Sequence, residues 1–255
     1  MLATTGLVAF VLERISPIAL VIIAIGLGIA KLGQRQTGIY KIACHSVVIL
    51  WAGALVLHLV PGFDNLLVLD KALTGSGSIP FTLYLNLDKP LIVFALLLLM
   101  PDMLKRTSPI SSAKTSLTQL PLTQKFILAA LFIALPLVAW GVGIVEPEFS
   151  LPTWLWVFVI NNLVFTCVAE EALFRGYIQN GLTKRFNPFV GIFLASFLFG
   201  IAHFAGGGIF IAIAALAGLL YGLTYYWTGR LIFAVLIHFG FNLVHLLFFT
   251  YPMAN

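Results

Sequence analysis

Long apolar runs decide the solvent in which this chain folds. A stretch of roughly 18 or more apolar residues is long enough to cross a bilayer as a helix. Several runs of about that size occur here, in 255 residues that are 61% hydrophobic and only 9% charged, with a mean hydropathy of +1.07. So much apolar surface exceeds what one soluble core can bury, which makes lipid the solvent. Lipid satisfies no backbone polar group, so only helices or closed barrels can span it, and these runs do not alternate as barrel strands do. The fold class expected is all-α: a polytopic membrane helix bundle.

Reading the runs between their Gly, Pro and charged breakers gives eight expected spans, near residues 15–30, 42–60, 83–100, 126–145, 152–179, 188–204, 208–227 and 231–251. The third is interrupted by Asp88 and Lys89 at its start and ended by Pro101. Basic residues alternate between loops: Lys31, Arg35 and Lys41 in the first, Lys105, Arg106, Lys114 and Lys125 in the third, Lys184 and Arg185 in the fifth, Arg230 in the seventh. The opposite loops hold Asp64, Asp70, Glu146 and Glu148 against Lys71 alone. By the positive-inside rule the basic side is cytoplasmic and both termini lie outside the cytoplasm, as in a multi-pass protein of a bacterial inner membrane. Met1 to Leu12 is apolar without the basic start of a signal peptide, so it is expected to stay, lying at the surface or opening the first helix.

The formal charge of +5 is scattered through short loops and forms no stripe, so no nucleic-acid partner is expected. Cys44 and Cys167 both fall within expected spans and form neither a metal-type pair nor a disulfide framework. No repeat of 20 to 50 residues is present. The Ser/Thr-rich stretch from Thr107 to Thr123 is the one linker-like segment. It divides residues 1–123, an N-terminal transmembrane region, from residues 124–255, where ionisable residues collect inside the lipid.

A carboxylate at bilayer depth costs about 2.5 to 3.5 kcal/mol on insertion scales, so intramembrane acids are read first as functional. Glu170 and Glu171 stand in succession in CVAEEALFRGYIQN, and Arg175 lies one turn beyond Glu171. At 3.6 residues per turn Glu171 and Arg175 share a face and can pair, while Glu170 points about 100° away and is the freer carboxylate. The bland alternative is a structural charge cluster at the interface. In FLFGIAHF, Phe199 and His203 are again four apart, so the ring can wall the cavity that the imidazole faces. In HFGFNLVH, His238 and Asn242 share a face, with His245 nearly in line. Singly, each of these is more often a helix-to-helix hydrogen bond. Counted from the basic loops, Glu170, His238 and Asn242 lie about 12 to 18 Å deep and His203 about 22 Å, so the four can meet in one cavity.

The ordered patterns EExxxR (Glu170, Glu171, Arg175), FxxxH (Phe199, His203) and HxxxN (His238, Asn242) resemble the signature of the CPBP family, the CAAX-protease and bacteriocin-processing family of glutamate-dependent intramembrane proteases. The segment GLLYGLTYYWTGRLIFAVLIHFGFN, from Gly218 to Asn242, is similar to the family's approach to its His helix, and the resemblance covers roughly Trp154 to His245. It implies an intramembrane endopeptidase core in residues 124–255 acting on a membrane-associated or lipidated peptide. Glu170 with His203 would activate water, His238 and Asn242 would stabilise the oxyanion, and Glu171, Arg175 and Phe199 would support them, without a cofactor.

Two alternatives stay open. Glu170, His203 and His238 can also be read as zinc ligands with an open position for water, although no HExxH pair is present and Asn242 is a poor zinc ligand. A non-catalytic bacteriocin-immunity or peptide-binding protein could also use this framework, and a proton-relaying transporter is disfavoured by the missing inverted repeat. Cys44, His45 and His58 match no ligand spacing. Asn162, Thr166 and Glu170 recur every fourth residue as a polar stripe that lines a water path or bonds a neighbouring helix.

Overall fold

The computed structural model describes residues 13–105 and 116–255. Met1 to Leu12 and most of the Ser/Thr stretch therefore lie outside the described residues. Eight apolar helices dominate: α1 (Pro17–Gly33), α2 (Gly38–Val56), α3 (Lys89–Leu99), α4 (Leu122–Gly141), α5 (Leu155–Arg185), α6 (Pro188–Ala202), α7 (Gly207–Thr228) and α8 (Leu231–Phe248). The all-α membrane bundle is the observed class.

Several boundaries follow from local chemistry. Ser16 caps α1 by accepting from the Ala19 amide at 3.2 Å, and Pro17 follows where no amide proton is needed. Asn187 caps α6 in the same way, accepting from Val190 at 3.0 Å ahead of Pro188. Gly229 ends α7 at φ +65°, a conformation that costs glycine little.

The expectation of eight full spans is corrected to five. Among the described residues only α2, α4, α5, α8 and α7 with its preceding turn (Phe204–Thr228) are long and apolar enough to cross a membrane. Helices α1, α3 and α6 have 17, 11 and 15 residues. At 1.5 Å per residue they reach about 26, 17 and 23 Å, short of the roughly 30 Å hydrocarbon core. The third expected span fails for a specific reason. Its first residues belong to a two-stranded sheet, β1 (Leu66–Ala72) with β2 (Phe81–Leu85), joined through the turn-forming run TGSGS. Helix α3 begins only after Asp88, whose carboxylate accepts from the Lys89 amide at 3.0 Å.

The chain divides into two compact units. One comprises the described residues up to Leu69 together with Leu83–Met103, and the other comprises Asp70–Thr82 with the described residues from Leu104 onward. In the first unit α1 packs on α2 and α3 through small residues. A side chain at Gly26 would strike the Trp51 ring, and one at Gly33 would strike Cys44 and Leu99. Its loops are tied by polar pairs, Arg14 with Asp64 at 2.6 Å and His58 with Asp88 at 2.6 Å. His58 is thus a loop partner for a buried acid, and Cys44 a packing residue.

In the second unit α6 and α7 pack most extensively, α4 and α8 flank α7, and α5 lies against α6 and α8. Helix α5 is not uniformly α-helical. Asn161–Cys167 and Ala172–Gln179 are π-helical, on either side of the short α segment Val168–Glu171. Such widened turns recur at functional sites because they re-aim side chains.

Gly200 sits where α6 meets α7, and a Cβ there would lie 2.6 Å from the Ile211 carbonyl oxygen and 2.8 Å from Ala215. Gly200→Val is expected to cost about 1–3 kcal/mol or more by overpacking. Gly240→Ala, facing open space, is expected to be neutral or stabilising by less than about 1 kcal/mol. Thermal unfolding in detergent checks the pair.

Candidate active site

Helix α5 carries the two acids, α6 ends at His203, and α8 carries His238 and Asn242. These elements close around a cavity of about 230 Å³ lined by Glu170, His203, His238 and Asn242, with Phe199 and Tyr221 between them. The four residues singled out from sequence thus line one cavity. Asn162, Thr166 and His245 line it too, so the polar stripe of α5 faces the cavity.

Each polar group has a distinct environment. Glu171 is fully buried, its Oε2 lying 3.1 Å from Arg175 Nε and its Oε1 2.9 Å from His238 Nδ1. The expected pairing of Glu171 with Arg175 is present, and the contact to His238 is additional. Arg175 is also fully buried, and its terminal nitrogens find no hydrogen-bond acceptor among the described residues. Aromatic faces stand in: the guanidinium carbon lies 5.0 Å from the Phe199 ring centre, 5.8 Å from Tyr221 and 5.9 Å from Phe174.

Glu170 differs in kind. Its Oε2 is buried without a hydrogen-bond partner among the described residues, 4.0 Å from His238 Nε2. A buried carboxylate oxygen without a protein partner is a ready acceptor for water or substrate, since leaving it unpaired is costly. On the other side of the cavity His203 Nδ1 donates to the Phe199 carbonyl at 2.8 Å, and its ring lies 4.7 Å from the Phe199 ring. That bond places the proton on Nδ1 and leaves Nε2 as the second reactive atom.

Asn242 donates from Nδ2 to Asn162 Oδ1 at 3.1 Å, with Cys167 Sγ at 3.8 Å, and Cys167 in turn donates to Asn162 Oδ1 at 3.2 Å. The Asn162 to Cys167 spacing of five matches the π-helical turn that contains both. In both contacts Asn242 Nδ2 is the donor.

One end of the cavity is closed by Ile144, Val145, Tyr251 and Pro252. Three segments knit together there. Thr250 donates to Glu146 O, Ala254 to Ile144 O, Ile79 to Met253 O and Asn255 to Gly77 O, at 2.9, 2.9, 3.2 and 2.9 Å. Glu148 accepts from the Gly77 amide at 2.9 Å and the Ser78 hydroxyl at 2.7 Å. Burial pushes the Tyr251 hydroxyl pKa upward, so it faces the cavity as a neutral phenol.

Sequence reasoning overlooked Tyr221, which stacks on His238 with ring centres 4.4 Å apart and planes 15° apart. Only its place one turn beyond Ala217, on the cavity face of α7, could have marked it. No three His, Cys, Asp or Glu side chains among the described residues converge as a metal-binding group.

Residues 152–244 match the family model described as Type II CAAX prenyl endopeptidase Rce1-like. Helices α5 to α8 thus hold the part of the chain that is similar to this family, in agreement with the three sequence patterns. No curated protein and no solved structure matches.

The burial of Arg175 predicts a sharp response. Arg175→Ala leaves the Glu171 carboxylate without its counter-charge and is expected to cost about 3–5 kcal/mol. Arg175→Lys recovers only part of this, because an ammonium cannot present the planar face that the three rings contact. The yield and melting temperature of detergent-purified protein measure both.

Proposed function

We propose that this chain, an integral multi-pass membrane protein with a CAAX-endopeptidase-type domain, is an intramembrane endopeptidase that hydrolyses a substrate peptide bond with water activated at Glu170. One observation carries the reading: Glu170 holds a buried carboxylate oxygen with no partner among the described residues, in a cavity that also presents two imidazoles and an amide donor.

Water entering the cavity meets Glu170 as its base, with His203 Nε2 helping to orient it, and the hydroxide adds to the scissile carbonyl. His238 Nε2 and Asn242 Nδ2 donate to the oxygen that becomes anionic, which is where fixed donors in a low-dielectric site contribute most. The lining is otherwise apolar, with Ala139, Ile213, Ala214 and Ala217 leaving room for an apolar segment. The substrate class this supports is a membrane-associated or lipidated peptide. No cofactor is needed for these steps, so zinc has no assigned part.

We place residues 124–255 as the protease core and the basic ends of α5 and α8 at the cytoplasmic face of a bacterial inner membrane.

Glu170→Gln is expected to lower cleavage of an internally quenched prenylated CAAX peptide by about 10²–10⁴-fold, the usual worth of a general base. Membrane insertion and melting temperature should match wild type. Chelator treatment should leave the wild-type rate unchanged, with metal below stoichiometry in the active preparation. A Glu170→Gln protein that still cleaves would remove the assignment.

A further inference from the structure

The contact between Glu171 and His238 assigns a second task within the site, resting on the protease reading above. Expulsion of an amine from a tetrahedral intermediate needs a proton at nitrogen, and oxyanion donors alone do not supply it. His238 is placed to do so. Its Nδ1 lies 2.9 Å from Glu171 Oε1, its Nε2 lies 4.0 Å from Glu170 Oε2, and its ring is stacked on Tyr221. A carboxylate accepts only, so Nδ1 carries a proton whether the ring is singly or doubly protonated, and every proton exchanged with the cavity passes through Nε2. The same logic governs the imidazole of a serine-protease triad, where a buried carboxylate on Nδ1 holds tautomer and orientation. Glu171 is itself anchored by Arg175 on the opposite oxygen. With the ring doubly protonated, the charges of Glu170, Glu171, Arg175 and His238 cancel.

We infer that His238 is the general acid that protonates the leaving amine, that Glu170 re-supplies its proton, and that Glu171 is the positioning residue that makes this possible. The steps balance. Glu170 takes one proton from water as the water oxygen bonds to the carbonyl carbon, and the carbonyl π pair moves to oxygen. The oxyanion then re-forms the carbonyl, the C–N bond breaks with its electron pair going to nitrogen, and nitrogen takes the Nε2 proton. The proton held by Glu170 passes to Nε2 and restores both groups, leaving a carboxylic acid and an amine.

Two measurements test this. The first compares an internally quenched prenylated CAAX peptide with its twin carrying a thioester at the scissile bond, because a thiolate leaves without a proton. Glu171→Gln is expected to reduce amide cleavage by about 10²-fold or more, while thioester cleavage falls by less than about 10-fold. The amide-to-thioester ratio is internal to each sample, so partial unfolding does not move it. Glu171→Asp, which keeps a charge beside Arg175, should shift the ratio in the same direction but less. Equal losses on both probes, or no loss on either, overturn the proposal. Glu170→Gln should lose both probes, and retention of amide cleavage in that variant defeats the protease reading instead.

The second measurement reads ¹⁵N shifts of the imidazoles in wild-type protein, with His238 identified by difference from His238→Gln. Nδ1 is expected to be protonated on both sides of the ring's titration. A bare Nδ1 overturns the proposal, including in a protein that cleaves neither probe or in which Glu171→Gln fails to fold.

Discussion

A buried carboxylate, held between a guanidinium and an imidazole, organises the cavity-bearing unit of this protein. Glu171 and Arg175 are both fully buried in a segment that passes through lipid, where a lone charge of either sign is expensive. Each needs the other, and the pair fixes the rotation of α5. Everything around it answers to that constraint. Phe174, Phe199 and Tyr221 present ring faces to the guanidinium, Tyr221 stacks on His238, and Glu171 sets the ring's plane through Nδ1. The adjacent Glu170, rotated about 100° around the helix, is thereby turned into the cavity.

The two π-helical stretches of α5 belong to the same arrangement. A regular helix keeps residues three and four apart on one face, whereas a π turn brings residues five apart into line. Asn162 and Cys167 meet at that spacing and jointly hold the Asn242 amide. The irregular geometry is confined to a helix packed on both α6 and α8, where neighbouring groups make up for weakened backbone bonds. The close approach of α6 to α7 around Gly200 and Gly218 serves the cavity from the other side, since it brings His203 and Tyr221 to one space.

Much of this was legible in the residues. Mean hydropathy and run length identified lipid as solvent and helices as the fold, because no other structure satisfies a backbone there. Helical spacing alone paired Glu171 with Arg175 and freed Glu170, and the order of three short patterns pointed to the family whose model residues 152–244 match. Length was misjudged where apolarity was the only guide. An apolar run does not reveal that its first residues pair as β1 with β2, as happens before α3. The run counts as a span in sequence and falls short of one in space.

What the sequence by itself determined, then, is the solvent, the helix order and the chemical types available to the site, all properties of residues near one another in the chain. Tertiary structure decided which groups touch. Glu171 reaches His238 across 67 positions and Asn242 reaches Asn162 across 80. Tyr251, beyond the end of α8, lines a cavity whose acid lies on α5. Periodicity defines a face of each helix, but the partner of that face depends on packing among helices, and only there does Glu171 become the residue that sets the proton on His238.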